Sequence, residues 1–151
     1  MDKKLGNALI AEQLKIMDAA ATVLSESAAR VAPLFQQKKI DLSVEQRESC
    51  EALTARFARL CDFFFQRVFR TIDQIELTDD GTAIDRLNRA EKRGLIGSAA
   101  LWRQLRELRN DIAHEYLIER SDRVLAEALQ YAAELIETAR RVREYIALKG
   151  Y

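Results

Sequence analysis

The segment Arg109–Tyr116 places an arginine, the only histidine of the chain and a tyrosine close together. An imidazole titrates near neutral pH and can take or give a proton, and a guanidinium can bind two phosphate oxygens at once. On a helix with about 100° per residue, Arg109 falls in the middle of an apolar arc, and His114 lies roughly 140° away at its polar edge. A guanidinium in that arc must be paired, or must line an interface or a cleft, because an unpaired buried charge is too costly. These residues alone indicate a candidate site for a polyanion or a nucleotide.

The neighbours of the histidine admit both a functional and a structural interpretation. Asn110 and Asp111 precede His114 by four and three residues, so both side chains lie beside the imidazole on a helix, where Asp111 can orient the ring. A lone helical histidine is more often structural or on the surface, and Tyr116 can equally be a core or interface ring. The arginine favours function, because it breaks the apolar pattern without an obvious gain in packing.

Composition narrows the classes of function and the location. One histidine and two cysteines, Cys50 and Cys61, cannot complete a zinc site, so we expect no metal and no cofactor, with both thiols in the core. The longest apolar runs span only a few residues, so we expect no membrane segment. Glu12 interrupts the N-terminal apolar stretch, which argues against a signal peptide and predicts a cytoplasmic protein.

Five glycines and one proline in 151 residues favour helix throughout. Pro33 is expected to end the first helix, and Ser43 with Gln46 forms a capping box for the second. A short helix follows from about Thr82 to Gly94, and the last helix is expected to start at Ser121 or Asp122. Apolar seams predict an all-α, up-and-down four-helix bundle with one additional short helix, a single domain over residues 1–151. The inward residues of the seams are Ile10, Leu14, Met17, Ala21, Leu24, Ala28 and Val31 in the first helix, Cys50, Leu53, Phe57, Leu60, Phe64, Val68, Ile72 and Ile75 in the second, and Leu125, Ala128, Ala132, Leu135, Ala139, Val142 and Ile146 in the last.

The net charge of zero hides a local asymmetry. The stretch from Asp73 to Asp85 carries acidic residues and no basic one, whereas the stretch from Arg86 to Arg109 is strongly basic. Local fields attract polyanions, so the arginines of the basic stretch are candidates for binding a polyanion. The alternative is that they pair with the neighbouring acidic stretch. The candidates are Arg86, Arg89, Arg93, Arg103 and Arg106.

The spacing Arg109-x4-His114-x-Tyr116 resembles the R-x4-H-x-Y signature of the HEPN superfamily, specifically its HepT-like ribonuclease toxins. The approach to the motif is also similar, with the Glu91–Ile96 glycine turn and then Leu101 and Leu105-Arg106. The resemblance covers residues 86 to 117, and the flanking helices agree only in architecture.

The resemblance implies an all-helical homodimer that cleaves RNA without a metal. It also implies a small nucleotidyltransferase antitoxin, which can transfer AMP to the motif tyrosine. Arg109 and His114 would then be catalytic, Asn110 and Asp111 supporting, and Tyr116 the modified residue.

Such cleavage uses the ribose 2′-OH as nucleophile and needs a base, an acid and positive charge on the phosphate. One chain supplies a single histidine, whereas a twofold dimer supplies two, together with two copies of Arg109. We therefore predict a composite site at a homodimer interface. Two alternatives stay open: a non-catalytic HEPN-fold subunit that presents substrate or nucleotide to a small nucleotidyltransferase, and a helical dimer without a ligand.

Overall fold

Helix accounts for nearly all of the regular structure, as the scarcity of glycine and proline requires. A computed structural model describes residues 1–35, 42–114 and 118–151, with side chains for all of these except 118–121. Within these ranges there is no strand, so the prediction of an all-α fold is confirmed. The helices are α1 (Lys3–Val31), α2 (Val44–Phe63), α3 (Phe69–Ile75), α4 (Ala83–Lys92), α5 (Ala99–Ala113) and α6 (Ile118–Lys149), with a 3-10 turn over Ala32–Phe35 and a π-helical turn over Phe64–Val68.

Local capping signals set most helix ends. Ser43 and Gln46 form the predicted capping box at the start of α2, and Thr82 with Asp85 forms another at the start of α4. Pro33 lies in the 3-10 turn directly after α1, as expected of a residue that cannot continue the helix. The predicted start of the last helix was wrong: α6 begins at Ile118, because the residues before Ser121 are all compatible with helix.

The π-helical turn joins α2 to α3 and changes which aromatic side chains are buried. A π turn carries one extra residue, so Phe64 and Phe65 are both buried although the seam predicted only Phe64. Phe64 packs against the edge of Trp102 on α5, with ring centroids 5.8 Å apart. The other seam residues that are only partly buried are Leu14, Ala28, Ile75 and Leu125, and in α6 the neighbouring Val124 is buried instead of Leu125.

One hydrophobic core joins the helices and fixes the position of α5. The helix α1 packs on α2 and α6, and α5 packs on both α2 and α6. Cys50 and Cys61 are free and buried, as predicted. The helix α5 buries Trp102, Leu105 and Leu108 in this core, and its last turns carry Arg109 beside α2. None of the described helices combines the length and the apolar character that crossing a bilayer requires.

Candidate functional site

Arg109 is paired with a carboxylate on α2, as its place in the apolar arc required. Its Nε donates to Oδ1 of Asp62 and its Nη2 donates to Oδ2, both at 2.7 Å. The two side chains are 33% and 41% exposed, so the pair lies at the surface of the groove between α5 and α2. The hydrogen bond to Asp62 raises the pKa of the Arg109 guanidinium, which stays charged. Two parallel hydrogen bonds fix the plane of the guanidinium and turn Nη1 toward Oδ1 of Asn110, 3.4 Å away.

A cleft of about 300 Å³ opens beside this pair. We call it the Arg109 cleft; its lining residues are Asp62, Gln66, Arg106, Arg109 and Asn110. The guanidinium groups of Arg106 and Arg109 face the carboxylate of Asp62 there. The side-chain amides of Gln66 and Asn110 add neutral donors and acceptors. The lining therefore carries an excess of one positive charge, which suits an anion such as a phosphate group.

Phe65 positions the second guanidinium of the cleft. The Cζ atom of Arg106 lies 3.7 Å from the centroid of the Phe65 ring, and the Cζ atom of Arg86 lies 5.0 Å from the same centroid. The ring is only 4% exposed, so the two guanidinium groups cover it. Arg106 makes no ion pair with any residue that the structure describes, and it lines the cleft with one face on the Phe65 ring, so its N–H groups are available to a ligand.

His114 ends α5 and is exposed to solvent. It is the C-terminal capping residue of the helix, and its backbone N–H donates to the carbonyl oxygens of Asn110 and Asp111 at 3.0 and 3.3 Å. It lies five residues after Arg109, which is roughly 7.5 Å along the helix axis. The two residues also differ by about 140° around the helix, so the imidazole does not lie beside the Arg109 guanidinium, whereas Asn110, which lines the cleft, is about one helical turn before His114.

The two predicted supporting residues have different surroundings, and the predicted modification site is not described. Asn110 lines the Arg109 cleft. The carboxylate of Asp111 accepts a hydrogen bond from Nη2 of Arg123 at 2.8 Å, which ties the last turn of α5 to α6. Its role in orienting the imidazole stays a prediction. Tyr116 lies outside the described residues.

Three of the candidate RNA-binding arginines converge on a buried carboxylate instead of facing the cleft. Asp73 on α3 is fully buried, and its carboxylate oxygens lie 2.8 Å from Arg89 Nη2, 2.5 Å from Arg93 Nη1 and 3.8 Å from Arg86 Nε. Arg93 Nε also donates to Glu76 at 2.8 Å. We call these five residues the Asp73 cluster. Its contacts fit the alternative in which the basic stretch pairs with the acidic one, whereas Arg103 is exposed on α5.

Tyrosines from the end of the chain complete the cluster. The hydroxyls of Tyr145 and Tyr151 both donate to Oε1 of Glu76. Burial on its own would raise the pKa of Glu76, but the hydrogen bonds from Tyr145 and Arg93 outweigh it and lower the pKa. Burial, and after it the hydrogen bond to Glu76, raises the pKa of the Tyr145 hydroxyl.

Sequence reasoning did not identify Asp62, Gln66 or Phe65. The sequence does carry a signal for Asp62, which is the only acidic residue between Glu51 and Asp73 and stands directly before three phenylalanines. A carboxylate inside such an apolar run requires a partner. Nothing comparable marks Phe65, which depends on the π-helical turn.

Across the described ranges, no group of three or more His, Cys, Asp or Glu side chains is arranged to hold a metal ion. In comparisons with known proteins, no family model matches the chain, and searches of curated proteins and of solved structures find no match.

Proposed function

We propose that this protein is a metal-independent RNA endonuclease of the HepT-like toxin type, with a HEPN-like bundle that acts as a homodimer. One observation carries the proposal. Arg109 is held charged and half-exposed at the edge of an anion-sized cleft, five residues before an exposed histidine that ends the same helix.

The chemistry divides between the cleft and the imidazole. Arg109 and Arg106 bind the oxygens of the scissile phosphate and stabilise the charge that develops on them. One imidazole takes the proton of the 2′-OH, and the 2′-oxygen forms a bond to phosphorus. The bond from phosphorus to the 5′-oxygen breaks, and a second, protonated imidazole gives its proton to that oxygen. The products are a 2′,3′-cyclic phosphate and a 5′-hydroxyl, and no water or metal is consumed.

The orientation of the two residues supports a composite site. His114 lies about 140° around α5 from Arg109, so the imidazole of a chain does not face a phosphate bound to the Arg109 guanidinium of that chain. A twofold axis beside α5 brings the His114 of one protomer to the Arg109 cleft of its partner and supplies the second imidazole.

Regulation by a nucleotidyltransferase antitoxin rests on the sequence resemblance. In this proposal the antitoxin transfers AMP to Tyr116, and the added anionic group blocks the site and neutralises Arg109. The cellular location that fits this pairing is the cytoplasm.

The direct test compares the wild-type chain with His114→Ala and with Arg47→Ala, a matched control at an exposed position near the start of α2. We expect wild type and the control to arrest growth on expression and to cleave RNA in the presence of EDTA. His114→Ala should lose both effects while its thermal unfolding is unchanged. A wild-type chain that cleaves no RNA, or a His114→Ala chain that cleaves as fast as wild type, contradicts the proposal.

The composite site has its own test. Chains carrying Arg109→Ala are unfolded and refolded together with chains carrying His114→Ala, and cleavage is compared with each variant alone. Partial recovery in the mixture is expected, because the mixed dimer retains one intact arginine and one intact histidine at the shared site. Absence of any recovery, with mixed dimers present, argues for separate sites.

A second candidate function is a nucleotide- or substrate-binding subunit of a small nucleotidyltransferase. The bidentate contact favours it, because Asp62 occupies the Nε–Nη2 edge of Arg109 that would stabilise a scissile phosphate, whereas Arg106 in the same cleft can still bind the phosphate of a nucleotide. Nucleotide binding without cleavage that depends on His114 would establish this alternative.

A further inference from the structure

The arginines around Phe65 extend the Arg109 cleft over three helices. Arg106 on α5 and Arg86 on α4 both lie over the Phe65 ring, so their Cζ atoms are no more than about 9 Å apart. That distance is comparable to the Debye length at physiological salt, so the two charges repel each other appreciably. Gln66, the residue after Phe65, lines the cleft itself. The π-helical turn therefore joins the cleft to Arg86.

Arg70 continues the same line of positive charge on α3. It is exposed and lies four residues after Gln66, which is about one helical turn. Burial and the positive charges of Arg70, Arg89 and Arg106 lower the pKa of the Arg86 guanidinium, although Asp73 opposes them. Like charges so placed destabilise the free protein, and a bound polyanion removes that repulsion.

We infer that Arg70, Arg106 and Arg109 form a continuous track for a single-stranded polynucleotide, with Arg86 of the Asp73 cluster lying between Arg70 and Arg106, and that a mononucleotide is not the natural ligand of the cleft. We call Arg70, Arg106 and Arg109 the arginine track. Arg70 lies about one helical turn beyond Gln66, so a mononucleotide in the cleft leaves it unused, whereas successive phosphates of a strand can contact the whole track.

The inference rests on the proposed function and specifies its substrate. Attack by a 2′-oxygen needs that oxygen in line with the leaving oxygen, and a flexible strand reaches this arrangement more readily than a base-paired helix. The track therefore assigns single-stranded RNA as the substrate class. Phe65 does not stack with bases, because its ring is covered, so the track binds the backbone without a preference for sequence.

Binding is measured with a strand that cannot be cleaved. The probe is a fluorescent 2′-O-methyl RNA of about ten nucleotides, the range of known single-strand sites, titrated by anisotropy at several salt concentrations. The variants are Arg70→Gln and the double change Arg70→Gln/Arg106→Gln. The matched control is Arg30→Gln/Arg47→Gln, which removes two exposed charges from α1 and from the start of α2.

We expect the double variant to bind about 25-fold more weakly at about 0.1 M salt, and its log–log salt slope to fall by about 1.4, since each lost phosphate contact removes about 0.7. Arg70→Gln alone, which leaves the Phe65 stack intact, should lose about fivefold and about 0.7 of slope. The control should bind like wild type, and AMP should not displace the probe.

Several results would overturn the track. These are a wild-type protein that does not bind the strand, variants that bind as tightly as wild type, a duplex that binds more tightly than the strand, and AMP that competes as well as the strand does. The two proposals fail separately. If strand binding depends on Arg70 but no cleavage depends on His114, the nuclease proposal fails and the track stands. If cleavage depends on His114 but strand binding does not depend on Arg70, the track fails and the nuclease proposal stands.

Discussion

The Asp73 cluster and the Arg109 cleft are both groups of arginines held by carboxylates. They differ in how deeply the groups are buried and in how many guanidinium N–H groups are bound inside the protein. In the cluster, Asp73 is fully buried and Arg93 is 10% exposed, with its nitrogens bound to Asp73, Glu76 and Thr78. In the cleft, Asp62 is 41% exposed and Arg109 is 33% exposed. Arg106 there has an aromatic ring on one side and no ion pair among the described residues.

On this difference we assign the arginines of the Asp73 cluster to the fold and those of the Arg109 cleft to the proposed ligand. A guanidinium whose donors are satisfied inside the protein joins helices, and α3, α4 and the end of the chain meet at the Asp73 cluster. A guanidinium held from one side, with an edge toward solvent, is pre-organised for a ligand. Three predictions test this contrast.

The largest effect is expected from removing the central carboxylate of each group. Asp73→Asn leaves three partly buried arginines without their main counter-charge, which should lower the free energy of unfolding by about 3 to 5 kcal/mol. Asp62→Asn breaks an exposed pair and should cost about 1 kcal/mol or less. Urea unfolding of both variants gives the comparison, and equal losses would contradict the distinction between the two groups.

An intermediate effect is expected at low pH from Glu76. Its pKa is lower in the folded protein than in the unfolded chain, so the unfolded chain binds more protons as the pH falls through the ordinary carboxyl range. The stability from this group is therefore present above pH 4.5, the ordinary value, and is lost as the pH falls toward the lower folded pKa. Glu76→Gln should be less stable than wild type at neutral pH, with a smaller further loss between about pH 5 and 3. Thermal unfolding across that range measures the slope, and an unchanged slope would show that Glu76 does not contribute.

The smallest effect is expected at Leu77, directly after the cluster. The α3 helix ends with hydrogen bonds from Leu77 N–H to the Gln74 carbonyl and from Thr78 N–H to the Asp73 carbonyl, which place Leu77 in the left-handed region at φ 57°. Two other helices end in the same way with Gly94 and Gly150 at that position.

Leu77 is 79% exposed, so its side chain contributes little to packing that could offset the strained backbone. Leu77→Gly should therefore stabilise the protein by about 1 kcal/mol. The equivalent change at an unstrained, exposed position inside a helix, Leu9→Gly in α1, should destabilise it by at least about the same amount. If Leu77→Gly also destabilises the protein, the leucine makes a contribution that its exposure does not indicate.

The all-α class and most of the helix ends were predictable because their signals are local. The capping boxes at Ser43 and Thr82 and the glycine at the end of α4 lie within a few residues of the ends they set. The π-helical turn was not predictable, because three consecutive phenylalanines fit several helical registers and packing against Trp102 selects one. The start of α6 was also missed, since Ser121 and Asp122 are common caps that a helix can include.

The sequence predicted that Arg109 needs a charged partner or a cleft, but it did not predict which residue the partner is. An arginine in an apolar arc had to be paired, but Asp62 is 47 residues away in the sequence and only the packing of α5 on α2 brings it there. The basic stretch was correctly recognised as a feature, yet its division between the Asp73 cluster and the Arg109 cleft depends on which helix carries each arginine.

The central claim is that the Arg109 cleft acts on RNA while the Asp73 cluster supports the fold. The most direct measurement compares Arg109→Lys with Arg93→Lys, two changes that keep the charge and remove the planar fork, by RNA cleavage per folded molecule and by urea unfolding. We predict that Arg109→Lys loses about a hundredfold in cleavage with almost unchanged stability, and that Arg93→Lys loses about 1 to 3 kcal/mol of stability and keeps its cleavage rate. The opposite pattern, or cleavage that survives Arg109→Lys, would contradict the account.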